Sequence, residues 1–137
     1  MDVRGYLDEV RTRLATSVAI IAIDVVTEQE LSDRGYFRAR LSLANGDFLE
    51  VSEYFIIRQD NPETVEYRYQ WMDQTQRRLV RRWDNARHFR ELPQFPHHIH
   101  VGDELQVVPG RALSILALLD LIEQELGIRE PGSGAAV

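Results

Sequence analysis

All four histidines of the chain fall within one short window. The window begins at His88 and ends with His97, His98 and His100, close together. Histidine is the side chain whose ordinary pKa lies nearest neutrality, which suits it to proton transfer and to metal binding. If the chain carries out chemistry, we expect it to do so here.

A basic segment leads directly into this window. Six arginines and a single acid, Asp84, lie between Arg77 and Arg90, so this segment carries a net charge of +5 while the whole chain carries −6. Guanidinium groups bind phosphates well. The predicted RNA contacts are Arg77, Arg78, Arg81, Arg87, Arg90, Asn85 and His97. The alternative is that the arginines form ion pairs with acids on neighbouring strands.

The spacing of the last histidines allows more than one chemistry. On an extended segment His98 and His100 point the same way, so the two can chelate one metal ion. A third ligand would have to come from His88, Asp84 or Glu53. The same spacing is compatible with purely structural histidines and with general acid–base catalysis. We expect no required cofactor, and a divalent metal at His98 and His100 is the less favoured prediction.

Cleavage of an RNA phosphodiester fits the acid–base interpretation. It needs a base for the 2′-hydroxyl, cations for the phosphorane and an acid for the leaving 5′-oxygen. The predicted catalytic side chains are His88, His98, His100, Arg82, Glu53 and Asp84. The hypothesis is thus a metal-independent endoribonuclease. A non-catalytic RNA- or protein-binding module, in which the histidines only shape a loop, is the rival interpretation.

Apolar periodicity indicates the elements that must position these residues. Residues 2–15 and 111–126 show helical spacing, and the stretches between them alternate or are β-branched. Asn45-Gly46 is a strong hairpin signal. Strands are predicted over about 18–26, 36–43, 48–58, 65–72 and 78–85. The fold class is therefore α+β, a five-stranded antiparallel meander covered by an N-terminal and a C-terminal helix.

The faces of these elements predict a core and one exception within it. Glu53 interrupts the apolar face of the third strand, where a carboxylate is costly unless a cation or donors meet it. A structural pair with an arginine such as Arg82 is the alternative to a catalytic role. The first strand is predicted to be mostly buried, as is Trp83. The predicted common core is Phe37, Leu41, Leu49, Val51, Phe55, Leu116, Leu119 and Ile122.

Length and composition indicate one domain. The prediction is a single domain over residues 1–128 and a disordered tail over 129–137, while Pro93, Pro96 and Gly102 favour a mostly looped histidine segment. The chain has no cysteine, which excludes disulfides and a thiolate nucleophile. The N-terminus lacks the apolar stretch of a signal peptide, and no apolar run is long enough to cross a membrane, so we expect a cytoplasmic protein.

Several of these residues also resemble a family signature. The run from Arg82 to Ala86, then His88, then the run from Phe95 to His100 is similar to that of the TumE-type toxins of prokaryotic toxin–antitoxin systems. The similarity extends over about residues 17–126. The family pattern has a second histidine where this chain has Phe89. The resemblance implies a toxin acting on RNA or the translation apparatus and a DNA-binding antitoxin as partner, with the oligomeric state left open.

Overall fold

The computed structural model describes residues 1–128, within which two helices flank seven strands. The predicted disordered tail lies outside the described residues. The elements are α1 Val3–Thr16, β1 Ile20–Glu30, β2 Arg34–Leu43, β3 Phe48–Arg58, β4 Asn61–Met72, β5 Leu79–Asp84, β6 His98–Val101, β7 Val107–Pro109 and α2 Ile115–Glu125.

Each strand pairs antiparallel with the next one along the chain, so the sheet order runs from β1 to β7. The α+β class and the meander are confirmed, but the predicted five strands are wrong. The additional strands, β6 and β7, lie in and just after the segment predicted to be mostly loop. They span four and three residues, which is too short to show the alternation of a strand in the sequence. β6 forms because it pairs with β5.

Both helices pack against the same face of the sheet, here called the helix face. Directly paired residues of an antiparallel sheet share a face. Two directly paired sets of side chains therefore point towards the helices: Glu53 with Tyr67, and Tyr69 with Trp83. Arg68 and its partner Asp84 point the other way. We call this second side the open face, since neither of the two described helices covers it.

Side-chain caps set the starts of the helices. The Asp2 carboxylate accepts a hydrogen bond from the Gly5 amide at 2.7 Å, and the Ser114 hydroxyl accepts one from the Ala117 amide at 3.2 Å. The closing helix was expected from residue 111. It begins at Ile115 instead, because Ser114 is the N-cap and the preceding segment is not helical.

The core lies between the sheet and the two helices. The predicted core is confirmed, with one qualification: Leu116 is only partly buried and packs against its edge. Trp83 is buried as predicted. The prediction that the first strand is mostly buried is wrong: β1 is an edge strand, and Ile21 keeps 69% of its surface exposed. A β-branched run predicts a strand, but not its position at the margin of a sheet.

Glu53 is fully buried on the helix face. The Tyr6 hydroxyl donates to its two carboxylate oxygens at 2.8 and 2.9 Å, and the Thr64 hydroxyl donates to one at 2.5 Å. Burial raises the pKa of Glu53, against the hydrogen bonds from Thr64 and Tyr6, which lower it. The predicted partner Arg82 points to the open face, so hydroxyl groups meet this carboxylate instead of a guanidinium.

The raised pKa makes the stability dependent on pH. Above the pKa of an unfolded glutamate, about 4.3, the folded chain still holds a proton that the unfolded chain has lost. The free energy of unfolding should therefore fall as pH rises through the folded pKa. We expect Glu53→Gln to remove this fall, so that its stability relative to wild type increases from pH 4 to pH 8 in urea unfolding. The exposed Glu66→Gln is the control, and a difference that is constant with pH would contradict the prediction.

Candidate active site

The pairing of β5 with β6 brings predicted catalytic residues together on the open face. Asp84 lies directly opposite His98, and Arg82 lies opposite His100. Residues two apart on a strand share a face, so all four side chains project to the same side. His98, His100 and Asp84 are nearly inaccessible, with exposures of 3%, 4% and 5%.

Asp84 is the centre of this cluster. One carboxylate oxygen lies 2.9 Å from His98 Nε2 and also accepts from the Ala86 amide at 3.0 Å. The other lies 3.6 Å from His100 Nε2 and accepts from Arg82 Nε at 3.2 Å. A single carboxylate therefore holds two imidazoles and a guanidinium.

Backbone carbonyls fix the orientation of both imidazoles. His98 Nδ1 donates to the Pro96 carbonyl and His100 Nδ1 donates to the Glu104 carbonyl, each at 2.9 Å. A carbonyl only accepts, so each Nδ1 must carry its proton. Both Nε2 atoms therefore face Asp84. Arg82 Nη2 donates to His100 Nε2 at 3.2 Å, because a guanidinium can only donate.

Arg82 is held from the solvent side by Glu104. Its two terminal nitrogens donate to the two carboxylate oxygens of Glu104 at 2.6 and 2.7 Å. This bidentate contact lowers the pKa of Glu104 and raises the pKa of Arg82. The guanidinium thus lies between an exposed carboxylate and the buried one of Asp84.

A cleft of about 650 Å³ opens above the cluster. Its lining combines cations, aromatic rings and the exposed His88. The Phe89 ring packs edge-on against His98 and His100, with ring centroids 5.0 and 5.8 Å apart. The residues that form the rest of its rim include Tyr36, Tyr54, Glu66, Arg68 and Arg87. The cleft therefore places arginines and aromatic rings next to the histidines, together with the carboxylates of Glu66 and Glu104.

The predicted basic segment divides between the two faces of the sheet. Arg81 points to the helix face, where its guanidinium lies 5.6 Å from the Trp83 ring and pairs with Glu125 at 3.1 Å. Arg87 and Arg90 both lie over Phe95. Within residues 1–128, no ion pair joins Arg77, Arg78, Arg87 or Arg90 to a carboxylate. The prediction of paired arginines therefore applies to Arg81 and Arg82.

Arg77 and Arg78 extend the basic surface along the open face. With Gln70 they line a second hollow of about 350 Å³, and Glu104 borders both this hollow and the cleft. The cleft and the hollow thus adjoin at Glu104, and the carboxylates of Asp103 and Glu104 lie among their arginines.

Two other predicted contacts have structural partners. The Asn85 carboxamide accepts from the Tyr67 amide at 3.1 Å and donates to the Val65 carbonyl at 2.8 Å, which extends the β4–β5 pairing past the end of β5. His97 stacks on Tyr67, and burial together with the neighbouring His98 lowers its pKa. His97 therefore does not join the cluster, and neither does Glu53.

Several residues that the sheet brings to the cleft were not predicted from the sequence. Arg68 lies opposite Asp84, while Tyr36 and Tyr54 face each other across β2 and β3. Glu104 lies in the turn between β6 and β7. The signal that would have found the first three is strand alternation, because they occupy the polar faces of β2, β3 and β4.

Comparison with known proteins places this α+β chain among toxins. Residues 10–129 match a family model described as Toxin TumE, which covers most of the chain. The chain belongs to the TumE toxin family, and membership in a toxin family implies a cognate antitoxin. No curated protein and no solved structure matches it. Within residues 1–128, neither helix has the length and apolar character needed to cross a membrane.

Proposed function

We propose that the toxin binds single-stranded RNA across the open face and cleaves it at the cluster of Asp84, His98, His100 and Arg82. The observation that carries this proposal is the position of the cluster, on the floor of a cleft whose lining includes Arg68, Arg87, Tyr36 and Tyr54. Single-stranded nucleic acids are bound by such surfaces, since cations contact phosphates and aromatic rings stack on bases.

The exposed His88 on the rim is the group that can move a proton to and from a bound strand. In the proposed reaction it takes the proton of the 2′-hydroxyl, whose oxygen attacks phosphorus. The bond to the 5′-oxygen breaks, that oxygen takes a proton from water, and the hydroxide left behind takes the proton from His88. Arg82 stabilises the charge of the phosphorane. The products are a 2′,3′-cyclic phosphate and a 5′-hydroxyl.

The implied antitoxin is proposed to be a DNA-binding protein that covers the cleft. An occupant of the cleft would exclude RNA from Arg68, Arg87 and the cluster together. Because the proposed target is RNA, we expect the toxin to act in the cytoplasm and to have no membrane partner.

The electrostatic part of the proposal is tested by RNA affinity as a function of salt. The double variant Arg68→Gln and Arg87→Gln should weaken binding and flatten the plot of log affinity against log salt, by about 0.7 for each lost phosphate contact. The charge-matched control is Arg11→Gln with Arg111→Gln, because both arginines are exposed and absent from the lining of the cleft. Purified full-length protein and a labelled single-stranded RNA suffice for the measurement.

The outcomes separate the enzyme from the binding module. Equal salt slopes for wild type and the cleft variant would mean that RNA does not bind to the open face. Salt-dependent binding without any cleaved RNA would instead favour the non-catalytic module. Cleavage that leaves 2′,3′-cyclic phosphate ends supports the proposed reaction.

A further inference from the structure

We infer that Asp84, His98 and His100 bind a divalent transition-metal ion. The side-chain ligand atoms of the three residues lie within 4.8 Å of one another. Asp84 Oδ1 lies 2.9 Å from His98 Nε2, and Asp84 Oδ2 lies 3.6 Å from His100 Nε2. Tetrahedral bonds of about 2.1 Å place neighbouring ligands about 3.4 Å apart. The three residues therefore need only small movements to coordinate one ion.

The surroundings of the imidazoles are those of metal ligands. A metal-binding histidine generally donates its other ring N–H to a carbonyl or carboxylate, which fixes the ring and leaves a lone pair for the metal. Pro96 and Glu104 provide such carbonyls for His98 and His100. Both Nε2 atoms are therefore directed at the same point as the Asp84 carboxylate.

A cation suits this convergence. His98 Nδ1 is bonded to the Pro96 carbonyl, and His98 Nε2 lies 2.9 Å from an Asp84 oxygen that already accepts from the Ala86 amide. A buried carboxylate is costly unless a cation or donors meet it. A divalent ion contacts Asp84, His98 and His100 at once.

Arg82 is the competing cation. It donates to His100 Nε2 and to Asp84, each at 3.2 Å, and both contacts use lone pairs that the ion would take. Glu104 holds the two terminal nitrogens of Arg82 from the other side. When the ion binds, Arg82 can therefore keep its pairing with Glu104 while it releases the cluster.

The donor set selects the class of ion. Two imidazoles and one carboxylate suit zinc, manganese or iron, whereas magnesium prefers oxygen ligands and water. Three protein ligands leave coordination positions for water or a phosphate oxygen, as in catalytic sites. The cluster lines the cleft, so those positions face the proposed RNA. Metal binding itself depends only on the cluster and does not rest on the proposed substrate.

The test is calorimetric titration of full-length protein that has first been treated with a chelator and then dialysed. ZnCl₂ and MnCl₂ are the probes, and MgCl₂ is the contrast. We expect one Zn²⁺ per chain, a higher melting temperature with Zn²⁺, and much weaker binding of Mg²⁺. Zero Zn²⁺ per chain would overturn the inference.

Variants assign the binding to the cluster. Changes to outer-shell partners cost about 10- to 100-fold in metal affinity, so loss of the direct ligand in His98→Ala or Asp84→Asn should exceed that range. His97→Gln is the matched control, since His97 adjoins a ligand but stacks on Tyr67 instead. Unchanged Zn²⁺ affinity in Asp84→Asn would overturn the assignment.

A variant that gains Zn²⁺ affinity tests the site independently, because a gain of affinity cannot result from misfolding. The Phe89 ring lies against both imidazoles, and its backbone has a φ of 59°, a conformation in which histidine is comparatively common. Phe89→His should therefore supply a third imidazole and raise Zn²⁺ affinity at least tenfold. An affinity no higher than that of wild type would count against the site.

The metal site and the proposed function can fail separately. RNA cleavage that persists at full rate in chelator, together with no Zn²⁺ binding, would overturn the metal site and leave the RNA proposal standing. One Zn²⁺ bound by a protein that neither binds nor cleaves RNA would support the metal site and remove the RNA proposal.

Discussion

Asp84→Asn is expected to lower RNA cleavage by about 100- to 1,000-fold, the range observed when one preorganised electrostatic contact is removed from an active site. Asparagine has nearly the shape of aspartate but no charge. It can still accept from the Ala86 amide, so the end of β5 should stay in place. What is lost is the negative charge that holds Arg82 and both imidazoles. Inducible expression of this variant should no longer arrest growth.

The measurement pairs cleavage of labelled RNA by purified protein with growth curves after induction. Glu66→Gln is the matched control, because it is the same carboxylate-to-amide change in the same cleft, outside the cluster. Circular dichroism and thermal unfolding are the checks that both variants are folded. If Asp84→Asn arrests growth as strongly as wild type, the cluster has no part in toxicity, and the histidines serve to shape the loop of a binding module.

Trp83→Ala should have the largest effect on stability, although Trp83 lies between Arg82 and Asp84 in the same strand. Truncation of a buried tryptophan to alanine typically costs about 3–5 kcal/mol. Trp83 is only 4% exposed, and its ring contacts the Arg81 guanidinium on the helix face. Since small proteins are stable by only about 5–15 kcal/mol, this loss would leave the domain marginal.

Urea unfolding followed by far-ultraviolet circular dichroism measures the loss. Trp83→Phe keeps an aromatic ring in the core and should cost clearly less. A change below about 0.5 kcal/mol in Trp83→Ala, the size typical of a surface substitution, would mean that the ring does not support the core. Together, Trp83→Ala and Asp84→Asn separate the two faces of β5: one variant loses stability and the other loses activity.

Alternation within single strands made a large part of the fold predictable. The predicted third strand, 48–58, has the same bounds as β3, and Asn45-Gly46 lies in the turn before it. Tyr67, Tyr69 and Trp71 share the helix face as their spacing predicts. The period of a strand is a local property, because successive side chains alternate whatever the neighbouring strand is.

The site could be located from the sequence but not assembled from it. The clustering of histidines and arginines indicated the window, and the spacing of His98 and His100 put the two on one side. Whether Asp84 or Glu53 meets them depends on which strands pair and in which register. Glu53 pairs directly with Tyr67 and therefore shares its face of the sheet, the helix face. The register of β5 with β6 places Asp84 opposite His98.

The sequence by itself determined the two helices, five of the strands, the faces of most of those strands and the segment that holds the histidines. Tertiary structure alone decided the pairing of β6 with β5 and the meeting of Arg68, Tyr36 and Glu104 at one cleft. The reason is physical. Periodicity and turn chemistry act between near neighbours in the chain, whereas strand register arises from hydrogen bonds and packing between residues far apart in it.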